Sequence, residues 1–182
     1  MRIIAGEFRS RPIEAPKGMK TRPTLDKVRE AVFSIIMNNV PESSFLDLYA
    51  GSGANGLEAL SRGAKRVVFV EKDRHAQKII QANIVSLSLQ EKTSLLKMSV
   101  QRALDVLKGQ SFDLVYMDPP YAKQENEQVI QLLIEKDLLN LDGVIVVEAD
   151  RNDAYAETIG KMKLWKKKEY GVSQLLFYRK EK

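Results

Sequence analysis

Apolar positions along the chain change their period from one stretch to the next. Residues 2–15 set Ile3, Ile4, Phe8 and Ile13 among the turn formers Gly6, Ser10 and Pro12, which predicts a short extended or hairpin piece. Residues 16–24 form a loop punctuated by Pro and Gly. From Thr24, the expected N-cap, Leu25, Val28, Val32, Ile35 and Ile36 keep helical spacing, and Pro41 marks the end. Beyond it, short apolar runs at 45–49, 66–70, 93–98, 112–117 and 144–148 read as strands. Helical patterns separate them at about 56–62, at 73–89 with Asp73 as cap, near 100–108, and at about 126–139. A further helix is expected near 153–163, and 164–170 with 173–179 form an antiparallel hairpin around Gly171. Strands alternating with helices imply a parallel sheet covered on both faces, with its site at the carboxyl ends of the strands. There is no internal repeat and no low-complexity segment.

Composition narrows the chemistry. The chain has 182 residues, 44% apolar and 29% charged, which suits one globular domain with a full core. No apolar run approaches a membrane span, and the N-terminus lacks the apolar stretch of a signal peptide, so a cytoplasmic protein is expected. The absence of cysteine excludes disulfides, thiolate metal sites and any cysteine nucleophile, including methylation at pyrimidine C5. The single histidine, His75, cannot form a multi-histidine metal site, so no metal is expected. Chemistry is left to carboxylates, backbone groups and a bound cofactor.

Charge is unevenly placed. Residues 1–29 hold eight basic residues, among them Arg9, Arg11 and Arg22, against three acidic ones, which accounts for the entire net charge of +5. The remaining residues, 30–182, are electrically balanced, and a basic N-terminal arm over 1–24 on a body over 25–182 fits an extension that contacts phosphate, with Arg9, Arg11 and Arg22 as candidate RNA contacts.

The first chemical motif follows the strand at 45–49. Gly51-Ser52-Gly53 and Gly56 satisfy the spacing of a dinucleotide loop, where glycines let the backbone turn and approach a ligand. Glu71, at the end of the next strand, can accept both ribose hydroxyls. Asp47 lies inside the strand ahead of the glycines, where a carboxylate suits an ammonium group and sits poorly beside a pyrophosphate. The loop and Glu71 predict an adenosine-type ribose without naming the ligand; Asp47 and the motif that follows favour S-adenosylmethionine over NAD. Ser99, after the third strand, is placed to contact adenine or to cap the next helix.

The second motif is Asp118-Pro119-Pro120-Tyr121 at the end of the fourth strand. The lone pair of an exocyclic base amine is delocalised into the ring. A site that accepts both amine hydrogens, here the Asp118 carboxylate and the Pro119 carbonyl, pulls that lone pair toward a methyl donor. The prolines restrict the backbone and hold the carbonyl in place. Tyr121 offers a flat face for stacking on the base, and Asp118 is a candidate acceptor of the amine proton.

Over essentially its whole length the chain resembles the RsmD-type family of bacterial 16S ribosomal RNA guanine-N2 methyltransferases. The matching pieces are Arg2-Ile3-Ile4-Ala5-Gly6, Thr21-Arg22-Pro23-Thr24, Val28-Arg29-Glu30-Ala31-Val32-Phe33, Asp47 to Gly53, Gly56 to Ala64, and Asp118 to Tyr121. The resemblance implies an α/β, Rossmann-like class I methyltransferase fold, with a seven-stranded, mostly parallel sheet whose last strand is antiparallel. It implies S-adenosylmethionine as donor, N2-methylguanosine as product, and an assembled or partly assembled small subunit as substrate. By position it makes Asp118 and Tyr121 the catalytic pair and Glu71 the ribose ligand. Asn55 departs from the family's usual apolar residue, and Ser99 from its frequent Asp or Asn. A monomer is expected. A DNA adenine-N6 or cytosine-N4 methyltransferase, a dehydrogenase and a non-catalytic RNA-binding assembly factor stay open as rivals, each with less in the sequence to recommend it.

Overall fold

The computed structural model describes residues 1–17, 23–120 and 123–181. Among the described residues, five α-helices, α1 (Pro23–Ile35), α2 (Ala54–Ser61), α3 (Arg74–Ser86), α4 (Val100–Val106) and α5 (Lys123–Glu135), are threaded among eight strands. These are β1 (Ser44–Leu48), β2 (Arg66–Val70), β3 (Thr93–Leu96), β4 (Phe112–Met117), β5 (Leu139–Asp150), β6 (Thr158–Ile159), β7 (Met162–Tyr170) and β8 (Ser173–Lys180). They form one sheet in the order β3-β2-β1-β4-β5-β8-β7-β6. The first five strands are mutually parallel, and β8 lies antiparallel to β5.

This is the Rossmann-like arrangement expected from the alternation. The five-residue strands β1 and β2 are buried from their second residue on, because helices cover both faces. One apolar layer joins Val32, Phe33, Phe45, Leu57, Phe69 and Tyr116 beneath α1, α2 and α3. The other joins Leu48, Val70, Leu104, Val115, Leu133 and Ile145 beneath α4 and α5. The strand order reverses direction at β1, which lies between β2 and β4, so the carboxyl ends of β1 and β4 flank the topological switch point.

Several boundaries differ from the periodicity reading. The helix expected near 153–163 is absent: that stretch is loop followed by β6 and the start of β7. Ile159 pairs with Met162 across the two-residue turn Gly160-Lys161, and Gly160 takes φ +55°, which ends any helical pattern. The preceding loop is held by Gln174 Nε2, which donates to the carbonyls of Asp150 at 2.7 Å and Asp153 at 2.6 Å. The short edge strand β6 makes the sheet eight-stranded rather than seven-stranded, with antiparallel pairing extending beyond the last strand. Helix α1 begins at Pro23, one residue ahead of Thr24, the expected N-cap. Helix α5 stops at Glu135 rather than near 139 because Asp137 takes φ +53° and the Leu138 N–H turns back to the Leu133 carbonyl at 3.0 Å. The freed Leu139 then opens β5.

The N-terminal segment is docked on the body. Arg2 bridges Pro12, and Ile3 and Ile13 are buried in the core. Glu58, fully buried on α2, accepts the N–H groups of Ile4 at 2.9 Å and Ala5 at 3.0 Å, and pairs with Arg62 at 2.9 Å. Ser61 Oγ donates to the Ala5 carbonyl at 2.6 Å and accepts from the Phe8 N–H at 2.9 Å. No helix among the described residues is long and apolar enough to cross a membrane.

Candidate functional site: two cavities joined at Asp118

At the carboxyl ends of the parallel strands lies a cavity of about 360 Å³ walled by Tyr49, Val70, Glu71, Met98, Ser99, Asp118 and Pro119. Its size and mixed lining suit a nucleoside-sized ligand. A second, smaller chamber of about 90 Å³ lies on the other side of Asp118, between the glycine loop, α1 and the ends of β4 and β5. Arg29, Asn55, Tyr116 and Glu148 line it, together with Met1, Gly51 and Ser52. Tyr49 and Asp118 belong to both walls.

The loop between β1 and α2 is shaped by its glycines. Gly53 begins α2 at φ +80°, a conformation that favours glycine, and Gly51 takes φ +59°. The Gly51 N–H donates to Glu71 Oε2 at 2.8 Å, and Glu71 Oε1 accepts from the Asp73 N–H at 2.9 Å. Glu71 therefore fastens the loop to the end of β2 and also lines the larger cavity. A Cβ on Gly51 would meet no protein atom within 4 Å, so open space adjoins the loop there. Gly56 has a different reason to be glycine. A Cβ on it would lie 2.3 Å from the Phe69 ring and 2.7 Å from Val67, so only a hydrogen lets α2 rest against β2.

Asp47 is 1% exposed and lines neither cavity. Its Oδ2 accepts the Gly56 N–H at 3.0 Å, which ties β1 to the first turn of α2. Burial holds the Asp47 carboxyl well above the usual range, opposed in part by that hydrogen bond. Its place is under the glycine loop. Ser52 is buried and accepts from the Ala54 N–H at 3.3 Å through Oγ. Ser99 takes the capping role and also lines the larger cavity. Its Oγ caps α4 by accepting from the Arg102 N–H at 3.3 Å, and the residue forms part of the larger cavity's wall.

Asp118 directly follows β4, and its neighbour on the adjacent strand is Glu148, since Met117 pairs with Val147. Loss of solvation, and then the charge of Glu148, raise the Asp118 carboxyl to about 7. Asp118 is exposed toward the cavities, so water reaches it, unlike sealed Asp47. Burial also raises Glu148, while the Tyr116 hydroxyl, donating to Glu148 Oε2 at 2.9 Å, works in the opposite direction.

The structure thus gathers Glu71, Ser99, Asp118 and Pro119 around one cavity, and Gly51, Ser52 and Asp118 around the other. Arg9 and Arg11 are exposed on the docked N-terminal segment and line neither cavity, and Arg11 Nη2 donates to the Ser86 carbonyl at 3.1 Å. Arg22 and Tyr121 lie outside the described residues. Among the described residues, no group of three or more His, Cys, Asp or Glu side chains is placed to hold a metal. Sequence reasoning missed Arg29, Tyr116 and Glu148 as cavity residues. A signal existed for Glu148: it is a carboxylate directly after the buried run Val144 to Val147, at the carboxyl end of a parallel strand.

The family model described as "Conserved hypothetical protein 95" matches residues 1–179. The chain is 35% identical over 182 residues to ribosomal RNA small subunit methyltransferase D of Haemophilus influenzae, covering 98% of this chain and 93% of that one. A solved structure of a candidate methylase from the same organism is 33% identical, with a TM-score of 0.82, and covers 100% of this chain and 99% of its own. The fold alone is shared with a candidate methyltransferase solved in complex with S-adenosylhomocysteine, at 14% identity and a TM-score of 0.68, over 84% of this chain and 48% of that one. A family match from the first residue to 179, joined to relatives above 30% identity along nearly their full length, places this chain in the RsmD-type family.

Proposed function

We propose that the protein transfers a methyl group from S-adenosylmethionine to the exocyclic N2 amine of a guanine in 16S ribosomal RNA, within an assembled or partly assembled small subunit. The observation that carries this reading is the position of Asp118, the single carboxylate common to the nucleoside-sized cavity and the small chamber. A donor in one cavity and a base edge in the other meet there. The names of the relatives, which specify ribosomal RNA and methyl transfer, supply the substrate class.

The larger cavity fits the donor. Glu71 faces a ribose, Ser99 and the apolar residues Val70, Met98 and Val100 flank the plane of a purine, and the glycine loop gives close backbone approach. Gly53 and Gly56 shape that loop, and Asp47 keeps it in place from below. When bound, S-adenosylmethionine supplies an electrophilic methyl on a sulfonium. Asp118 and the Pro119 carbonyl accept the two amine hydrogens and orient the nitrogen lone pair along the transfer line, and much of the rate comes from that alignment. As the new N–C bond forms, Asp118 accepts the surplus amine proton or passes it to water. Tyr121 stacks on the base. Such a base has to leave its helix to reach the chamber. Arg9, Arg11 and Arg22 meet RNA phosphates, the part of recognition that carries no sequence information.

The test is transfer of labelled methyl to three substrates: small subunits from a strain lacking this gene, the corresponding naked ribosomal RNA, and duplex DNA. Digestion and mass identification of N2-methylguanosine from the particle is the expected result. Label in DNA would move the protein to another substrate class. Absence of label from every substrate, with tight S-adenosylhomocysteine binding, would favour an assembly factor.

A further inference from the structure

We propose that Glu148 is the residue that selects guanine, by accepting the ring N1–H that neighbours the amine held at Asp118; this rests on the base-amine reading above. Three observations place it there. The register Met117↔Val147 sets Asp118 and Glu148 side by side on adjacent parallel strands, about 4.8 Å apart by ordinary strand spacing. Tyr116, two residues before Asp118, shares its face of the sheet and aims its hydroxyl at Glu148 Oε2 at 2.9 Å. That bond orients the carboxylate and leaves Oε1 without a protein donor among the described residues. Both acids line the small chamber. At about 90 Å³ this chamber cannot enclose a nucleotide and takes only the leading edge of a base.

Two adjacent acceptors call for two adjacent donors. Guanine, adenine and cytosine all carry an exocyclic amine, but only guanine has a ring N–H on the atom that follows. In adenine that atom is N1 and in cytosine N3, and each presents a lone pair. A carboxylate facing a lone pair is repelled and leaves two buried acceptors unmatched, so the wrong base is rejected as well as left unrewarded. Asp118 with the Pro119 carbonyl serves any base amine. Glu148 adds the contact that tells guanine from the other two, which a bidentate pair supports at roughly 10- to 100-fold.

The experiment uses small subunits reassembled from RNA that carries either guanine or 2-aminopurine at the methylated position, mapped first with natural particles. The analogue keeps the 2-amine but offers a bare acceptor at N1. The full-length wild-type protein is expected to lose about 10- to 100-fold in kcat/KM on it. Glu148→Gln turns an acceptor into an amide that can donate to N1. It is expected to lose a similar factor on guanine and to shift the 2-aminopurine-to-guanine ratio by at least about 10-fold. S-adenosylhomocysteine affinity within about three-fold of wild type shows that the variant is folded, and if it is not, the two wild-type substrates decide alone. Equal use of both bases by the wild type, or an unchanged ratio in a folded E148Q, overturns this inference while leaving N2-methylguanine formation intact. Methyl label on a base other than guanine overturns the proposed function and this inference with it.

Discussion

The side-chain amide of Asn83 meets the backbone of Glu14 on both of its edges. Asn83 Oδ1 accepts the Glu14 N–H at 2.7 Å, and Asn83 Nδ2 donates to the Glu14 carbonyl at 3.0 Å. The second Nδ2 hydrogen goes to the Ser52 carbonyl, also at 3.0 Å. One buried residue on α3 therefore ties the N-terminal segment and the glycine loop to the same point. The basic segment reads in sequence as an arm, but its backbone is clamped by Asn83, Glu58 and Ser61.

Asn83→Asp tests that clamp. The change places an oxygen against two carbonyl oxygens in a buried site, and the loss expected is about 3 kcal/mol or more. Asn83→Ala leaves the same groups unpaired without the repulsion and is expected to lose roughly 1–3 kcal/mol. Urea unfolding gives both values, and amide exchange at residues 12–15 and 51–53 should accelerate together. Exchange that speeds up in only one of the two segments would show that they are not coupled through Asn83.

Gly56→Ala should destabilise by about 1–3 kcal/mol, because its Cβ would lie 2.3 Å from the Phe69 ring and α2 has to move off β2. Trimming the obstacle should relieve the strain, so Gly56→Ala added to Phe69→Leu should be less harmful than added to wild type. Simple additivity in a double-mutant cycle would contradict the packing account.

How far the sequence carried can be judged from particular residues. Val67, Val68, Phe69 and Val70 form a run buried on both faces, and such runs between helices identify the parallel strands. Asp118 and the Gly51-Ser52-Gly53 loop were legible because their chemistry is tied to fixed local spacing. Glu148 and Arg29 were not, because they reach the small chamber only through strand order and the docking of α1. Asp47 was legible as a strand carboxylate ahead of the glycines, but its bond to the Gly56 N–H was not, since periodicity says that it is in a strand and not that Gly56 turns back to cover it. The false helix near 153–163 arose because residues 154–163 include helix formers, while Gly160 and the pairing of β7 with β8 decide otherwise.

Arg9 is exposed and lies on the clamped segment, apart from both cavities. Under the proposed function, Arg9→Ala should weaken binding to small subunits while leaving S-adenosylhomocysteine affinity unchanged. It should also lower the slope of log affinity against log salt by about 1. An unchanged slope would remove Arg9 from the RNA contacts, and a change in cofactor affinity would show that it acts on the loop instead.

Asp118 gives the pH dependence a definite sign. Its carboxyl is raised to about 7, so the ionised form that accepts amine hydrogens fades as pH falls below that value. Methyl transfer should rise with pH through about 7 and level off above it, and the residual rate of Asp118→Asn should lack the rise. Because the charge of Glu148 contributes to the shift, the remaining activity of Glu148→Gln should titrate at lower pH than wild type. Stability runs the other way. A carboxyl raised by folding contributes stability in full below its unfolded value near 3.8, and that contribution is lost as pH rises through the folded value. Asp118→Asn should therefore unfold later than wild type at pH 8, with the difference shrinking toward pH 4, while its activity collapses. Asp47, also raised by burial, extends the same trend, so Asp47→Asn should also resist unfolding at high pH. Thermal melts at pH 4, 6 and 8 read these differences directly, and a wild-type protein more stable than both variants at pH 8 would refute the assignment of the two carboxylates as raised on folding.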